Sequence, residues 1–234
     1  FTDNVVELVI DNLGRLPDQT RQLLGYAAML GNVFDLEKLA MVSERPQEEL
    51  LLDLRAALQE GFIVQQTRSR FAFSHDRIQQ AARELAEIAF TDLACTRLGM
   101  GRALLALERQ QGRDEASFDI AEHLNAGRQC VTDPAEQLAW AQLNLELGRK
   151  AKLSSAYRTA WQNLAAAHYF IGRYGVEQQR ELALEITREL AECAYLDGEF
   201  SRADALYPAL ARLAQTPLEK IRCLSVQANQ YQLQ

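Results

Sequence analysis

The 234-residue chain has no GxxxxGK[ST] loop, no CxxC pair and no apolar run approaching 18 residues. The first absence removes the backbone cradle that holds nucleotide phosphates, so this stretch carries no phosphate loop of its own. The second bears on four cysteines, Cys95, Cys130, Cys193 and Cys223, which lie 35, 63 and 30 positions apart. No histidine stands at metal-ligand spacing from any of them, so the pattern predicts reduced thiols packed in cores rather than a zinc or redox site. The third absence excludes a membrane-spanning helix. There is no excess of basic charge either. With 25 Lys and Arg against 32 Asp and Glu the net charge is −7, which suits a soluble protein and argues against a general binder of phosphate backbones. "GMG" at 99–101 follows no strand and is a poor dinucleotide fingerprint. No signal-peptide pattern opens the chain, and it begins at Phe1 rather than Met, which suggests a piece of something longer.

What is present is helix signal, supported by 48% apolar residues. Over the first 90 residues, "LPDQTRQLLGYAAMLG" places Leu23, Leu24, Ala27, Ala28 and Leu30 at helical spacing, with Gly31 as the stop. "FDLEKLAMVS" reads as a short second helix capped by Asp35. In "RPQEELLLDLRAALQEG", Pro46 suits the first turn, Gly61 the end, and Leu50, Leu51, Leu54 and Leu58 the buried stripe. "FIVQQTRSRFAF" then predicts two strands, Phe62–Val64 and Phe71–Phe73, around a polar tip. A fourth helix starts near Asp76 on the stripe Ile78, Ala81, Ala82, Leu85 and Ile88. Three helices followed by a hairpin spell a winged helix.

From about Thr91 no strand signal remains. Leu93, Met100, Leu104 and Leu107 make one helix face, "FDIAEHLNAG" a short helix ending at Gly127, and Asp133 with Pro134 a helix start. The later helices repeat. Gly148, Tyr157, Ala160, Leu164 and Ala167 are followed in the same order by Ala191, Phe200, Ala203, Tyr207 and Leu210, each 43 positions on. Small residues let paired helices approach and aromatics fill the gaps between pairs, as in a solenoid of helical hairpins. The tetratricopeptide (TPR) pattern is the nearest match, although the unit is longer than 34 residues.

The candidate sites divide as follows. The third helix holds Glu48, Glu49, Asp53 and Glu60 against Arg55, a net of −3, and the hairpin tip offers only Arg68 and Arg70. A helix so charged would be repelled by phosphates on both sides of a major groove, so DNA binding by this module is not expected. His75 and Asp76 stand at the seam between the second strand of the hairpin and the next helix. Ser74 or Asp76 could cap that helix while His75 bonds the hairpin backbone; alternatively the seam is a contact site. His123 and His168 read as packing residues, Trp140 and Trp161 as core, and the cations of "GRKAK" as a solvated helix face. No nucleophile or metal set points to an enzyme.

The blocks at residues 16–64, "FAFSHDRIQQAA", "FDIAEHLNAG" and "DPAEQLAWAQLNLELGRKAKLSSAYRTAW" together resemble the middle of large bacterial signalling proteins. These are multidomain sensor histidine kinases, some with a serine/threonine-kinase-like domain, that contain an AAA-type ATPase of the STAND class, the signal-transducing NTPases with numerous domains. Relatives of that ATPase include maltose-type transcription activators and apoptotic ATPases. The resemblance implies the order nucleotide-binding domain, winged helix, helical repeats, sensor domains and output domain, with this chain spanning the second and third. In related apoptotic ATPases a His-Asp pair late in the winged helix reaches the β-phosphate of bound ADP and holds the resting form. "FSHD" falls at the corresponding place, although the residue before the histidine differs from the family motif. The resemblance thus implies ADP phosphate sensing for His75 and Asp76, operating only with the NTPase domain.

The expected architecture is mainly α: a winged-helix domain with a small β-hairpin over residues 1–90, then a TPR-like α-α superhelix over 91–234 whose first helices, 91–130, cap or link. The expected function is regulatory and non-catalytic, with no cofactor or metal in this stretch and ATP or ADP in the parent protein. The expected partners are the upstream NTPase domain, the downstream sensor and kinase domains, and a protein or small-molecule signal on the repeats. Neither nucleic acid nor membrane is expected, and the expected compartment is cytoplasmic. The alternative is the regulatory region of a maltose-activator-like transcription regulator.

Overall fold

The structure is a computed structural model that describes residues 10–113 and 117–231. It is mainly α-helical with one small antiparallel sheet, and it divides into two compact units after Gly127.

In the first unit a helical stretch at 10–14 is followed by α1 (Asp18–Leu30), β1 (Val33–Asp35), α2 (Leu36–Ser43), α3 (Gln47–Gln59), β2 (Ile63–Gln65), β3 (Arg70–Phe73), α4 (Asp76–Ala89), α5 (Leu93–Gln110) and α6 (Phe118–Ala126). The expected hairpin forms, with Ile63 opposite Phe73 and Gln65 opposite Phe71. A third strand, β1, was not expected. It pairs with the other side of β3, Phe34 opposite Phe71, so β3 is central. Val33–Asp35 has no second β-prone run across a polar tip beside it, as the hairpin strands have, and its Asp35 reads as a helix cap, which is why the sequence hides β1. The central position also explains why Phe71, Ala72 and Phe73 are all buried where an edge strand would alternate. Phe34 lies against Phe71 and Phe73 with ring centroids 5.9 and 5.7 Å apart.

Helix α1 is the hub of the first unit, packing on α2, α3 and α4. Its expected stripe is buried at Leu23, Leu24, Ala27 and Ala28. Thr20 donates to the Asp53 carbonyl of α3 at 2.8 Å, and Gln79 of α4 donates to the Ala28 carbonyl at 3.0 Å. Three expectations fail here. Ile88 of α4 and Leu51 of α3 are exposed, and the deeper positions are taken by Ala86 and Ala57. Asp35 begins α2 without a side-chain cap, because its carboxylate pairs with Arg70, its register partner across the sheet, at 3.3 Å. Compactness also carries the first unit past residue 90, since α5 packs on α2 and on α6. Gly101 and Gly127 permit the α5–α6 approach: a Cβ at either would fall within 2.9 Å of backbone atoms, Leu124 N or Ala94 O.

The second unit opens with a 3₁₀ turn, Arg128–Cys130, followed by α7 (Pro134–Leu153), α8 (Tyr157–Tyr174), α9 (Arg180–Leu196), α10 (Phe200–Leu213) and α11 (Pro217–Tyr231). Asp133 caps α7, accepting from the N–H groups of Ala135 and Glu136 at 3.3 Å, with Pro134 at the first helical position. The 43-residue period is carried into the backbone. The turn between α7 and α8 places Ser155 at φ 58°, and the turn between α9 and α10 places Gly198, 43 positions on, at φ 80°. Ala156 N donates to Ala151 O in the first turn as Glu199 N donates to Ala194 O in the second, at 3.0 and 2.8 Å. The two helix pairs are therefore one unit built twice.

Side chains keep the period with an exchange of volume. Gly148 faces Leu164, and a Cβ on it would lie 2.5 Å from Leu164 Cγ. At the equivalent place Ala191 shares a buried cluster with Tyr207, Ala203 and Leu210. Trp140 meets Phe170 edge-on at 5.7 Å in the buried core, as expected. Phe200 was expected to fill a gap between pairs; it is 44% exposed and leans on Tyr195.

Two substitutions of opposite sign test this packing. Gly148→Ala should destabilise by about 1–3 kcal/mol through overpacking. Ser155→Gly should stabilise by up to about 1 kcal/mol, because a left-handed conformation costs an L-residue roughly 1–2 kcal/mol and glycine almost none. Thermal denaturation of the two variants reads both signs.

Candidate functional site

Two places carry polar chemistry, one in each unit. The first is the seam after β3. Ser74, His75 and Asp76 are all exposed. The Ser74 N–H donates to Phe62 O at 3.0 Å and its hydroxyl to Gly61 O at 2.5 Å, tying the seam to the start of the hairpin. His75 is the N-cap of α4, its Nδ1 accepting from Arg77 N at 3.3 Å. The expected roles are thus exchanged: the serine bonds the hairpin backbone and the histidine caps. The cap needs Nδ1 unprotonated, so the neutral ring carries its proton on Nε2 and presents one donor. A phosphate here would meet that N–H and the first N–H groups of α4, with its remaining contacts supplied from elsewhere. A charged imidazolium would surrender the cap, so a charge-assisted contact and the cap compete. Asp76 sits in the first turn, where its charge suits the helix dipole.

Two cations of this unit are engaged in ion pairs of their own. Arg70 of the hairpin pairs with Asp35, and Arg45 pairs with Asp53 of α3 at 2.6 Å. His123, on α6, is buried. Burial, reinforced by the Arg97 charge, lowers its pKa to about 4, so it is a neutral packing residue at pH 7, as the sequence suggests.

The second place is the charged face between α7 and α9. Arg149 reaches Glu185 at 2.5 Å and Glu189 at 3.3 Å. Lys152 pairs with Glu189 and, at 3.0 Å, with Glu192. Glu189 is only 6% exposed. Burial pushes its carboxyl pKa up, but the hydrogen bond from Lys152 and the charges of Lys152, Arg149 and Arg188 outweigh burial, and the net direction is down. Two cations of "GRKAK" therefore do not form a solvated face; they bolt one helix pair to the next. Matching stripes could have revealed this, with Arg149 and Lys152 three apart on one helix and Glu185, Glu189 and Glu192 at four and three on another.

A second lock holds α11. Arg180 donates to Glu219 through both terminal nitrogens, at 2.9 and 3.2 Å, and to the Leu213 carbonyl at 2.8 Å. Glu219 also accepts from the N–H groups of Gln215 and Thr216, while Thr216 Oγ1 accepts from Glu219 N. This is a reciprocal capping box, written in the sequence as "TPLE". The Arg180 hydrogen bond, then the two backbone donors, hold the Glu219 carboxyl down to about 2.

The remaining expected residues are scattered. Trp161 is half-buried, with the Arg202 guanidinium 5.3 Å from its ring centre. His168 lines a cavity of about 440 Å³ bounded by α8, α9 and α10. Cys193 and Cys223 are free and buried. The Cys193 thiol donates to Tyr157 O at 3.3 Å, and burial raises its pKa to about 11, so it is an unreactive thiol. Cys95 is disulfide-bonded, as is Cys130, which corrects the expectation of four reduced thiols; spacing alone carries no pairing signal. No helix of the described residues is long and apolar enough to cross a membrane.

Because the folded-state pKa of Glu219 lies below its unfolded value of about 4.3, the ionised carboxylate stabilises the fold above that value. The contribution is lost as pH falls toward about 2. Glu219→Gln should flatten the acid limb of a Tm-versus-pH curve between those limits, with little further change at higher pH. Separately, Glu189→Ala should cost about 1–3 kcal/mol by removing the buried carboxylate that Arg149 and Lys152 share, leaving Lys152 only Glu192, measured by urea denaturation at pH 7.

Comparison with known proteins adds one relationship. The chain is similar to Hybrid signal transduction histidine kinase G of Dictyostelium discoideum, 28% identical over 208 residues. The match covers 67% of this chain and 6% of that much longer relative. No family model matches the chain. No solved structure matches it. The similarity is thus to a short stretch of a much longer signal-transduction histidine kinase.

Proposed function

We propose that this chain is a non-catalytic regulatory and interaction region of a signal-transduction protein. In this reading residues 1–90 form a winged helix and the helices beyond it a TPR-like superhelix. Ligand or protein binding on the helical repeats is coupled to an upstream STAND-type NTPase and a downstream kinase output. The observation that carries the reading is the similarity to a hybrid histidine kinase over 67% of a chain that contains repeated helix pairs. Two features support it. The doubled hairpins offer a repeated surface, and the bolted α7–α9 face lets displacement of one pair move the next as a body. ATP or ADP would belong to the parent protein, and the compartment would be the cytoplasm.

His75 and Asp76 enter this proposal as a state-dependent contact. A hydrogen bond to a charged group contributes about 1.5–3 kcal/mol, enough to shift a two-state equilibrium more than tenfold. Present only with ADP, the His75 Nε2 donor would favour the resting form, and Asp76 would orient the same helix start.

The capping role makes the test specific. Asparagine caps helices at least as well as most residues but lacks the imidazole donor. His75→Asn in the intact protein should therefore leave the melting temperature nearly unchanged and raise resting kinase output. His75→Ala should raise output and also cost about 0.5–2 kcal/mol of stability. Unchanged output in both variants would leave His75 as a cap alone. The wider reading predicts that deleting residues 128–234 from the full-length protein changes signal-dependent output. Identical ATP turnover and identical output after that deletion would end it.

A further inference from the structure

The cavity bounded by α8, α9 and α10 is lined by Ile171, Val176, Ala183, Ala209 and Leu213, with His168, Thr187, Glu177 and Arg212 as its polar members. Its volume, about 440 Å³, falls within the range of roughly 300–1,000 Å³ that small-molecule sites occupy, and a largely apolar wall with a few convergent polar groups is their usual chemistry. Glu177 is placed by the connection after α8. Gly175 ends that helix at φ 120°, and Gln178 N closes the turn on Gly175 O at 3.2 Å. Arg212 lies in the last turn of α10.

The charges are the informative part. Elsewhere in this unit the part-buried cations Arg149, Lys152 and Arg180 are each joined to a glutamate. Glu177 and Arg212 carry opposite charges on one cavity, yet no ion pair joins them, and neither has an ion-pair partner among the described residues. Glu177 and Arg212 are both solvent-exposed, so each side chain is free to turn toward a ligand that brings one charge to each. Thr187 spends its proton on the Ala183 carbonyl at 2.7 Å, so its oxygen offers only acceptor capacity. The His168 pKa is lowered by loss of solvent, so at neutral pH that ring adds no charge and the cavity keeps one cation and one anion.

We propose that this cavity binds a small zwitterion with an apolar body, its carboxylate on Arg212, its ammonium on Glu177 and its hydrocarbon against Ile171, Val176, Ala183 and Leu213. An apolar amino acid is the simplest such molecule. The proposal rests on the reading of the repeats as a signal-receiving surface and names the chemistry of the signal.

The test is calorimetric titration of the 234-residue chain with L-leucine, L-phenylalanine and 6-aminohexanoate, which differ in the separation of the two charges. N-acetyl-L-leucine and L-leucinamide are the controls lacking one charge. At least one zwitterion should bind at or below millimolar concentration. Glu177→Gln and Arg212→Gln, both at exposed positions, should each weaken it by about tenfold or more. Glu177→Gln should also abolish the preference over the N-acetylated control. Absence of binding by all three zwitterions, equal binding of the controls, or indifference to both substitutions would overturn the proposal. Those outcomes concern the cavity alone, whereas the repeat deletion in the full-length protein tests the regulatory reading, so the two fail separately.

Discussion

Close approach of paired helices at small residues is the constraint on which the rest of the structure depends. A Cβ added at Gly148 would strike Leu164, and one added at Gly25 would come within 2.8 Å of Ala86. The same holds at Gly101 and Gly127 between α5 and α6. Where helices lie this close, each side chain in the seam has one shape that fits, and the interior is specified like a crystal rather than a droplet. In the second unit this fixes each hairpin as a body, and a repeated body can present a repeated surface.

Polar interactions act on top of that packing and decide how one body meets the next. The Arg149, Lys152 and Glu189 cluster joins α7 to α9, and Arg180 with Glu219 joins α9 to α11. Neither joins the two helices of one hairpin. Apolar contact builds the hairpin, and charge sets the geometry between hairpins. Ion pairs fix register better than they add stability, because desolvation offsets much of their attraction. A signal that perturbs a hairpin would therefore be transmitted through directional, charge-paired contacts. The seam at His75 obeys similar economics: one imidazole nitrogen is used to start a helix, which leaves a single donor for any outside ligand.

Much of this was legible in the chain. The stripe of α1, the Asp133–Pro134 start of α7 and the 43-residue period follow from local propensity and spacing, and the turns at Ser155 and Gly198 reproduce the period in φ. Other features were hidden for definite reasons. Strand β1 finds its partner, β3, more than 30 residues away and has no adjacent β-prone run to announce it. Asp35 resembled a helix cap until sheet register placed Arg70 beside it. Ile88 shared the spacing of a buried stripe but falls on the solvent side of α4, 83% exposed, while Ala86 is the residue that packs on Gly25.

The sequence by itself determined where most helices begin and end, that they recur in pairs, and that small residues of the repeat such as Gly148 and Ala191 would stand in the seams, because these follow from local propensity and spacing. Only the tertiary structure decided that the cations of α7 meet the glutamates of α9, that Ser74 and His75 exchange their expected roles, and that Glu177 and Arg212 share a cavity without pairing. Each of those depends on the distance between residues about 35 or more apart, or on a backbone direction set by a neighbouring strand. Distances of that kind are products of packing and have no local spelling.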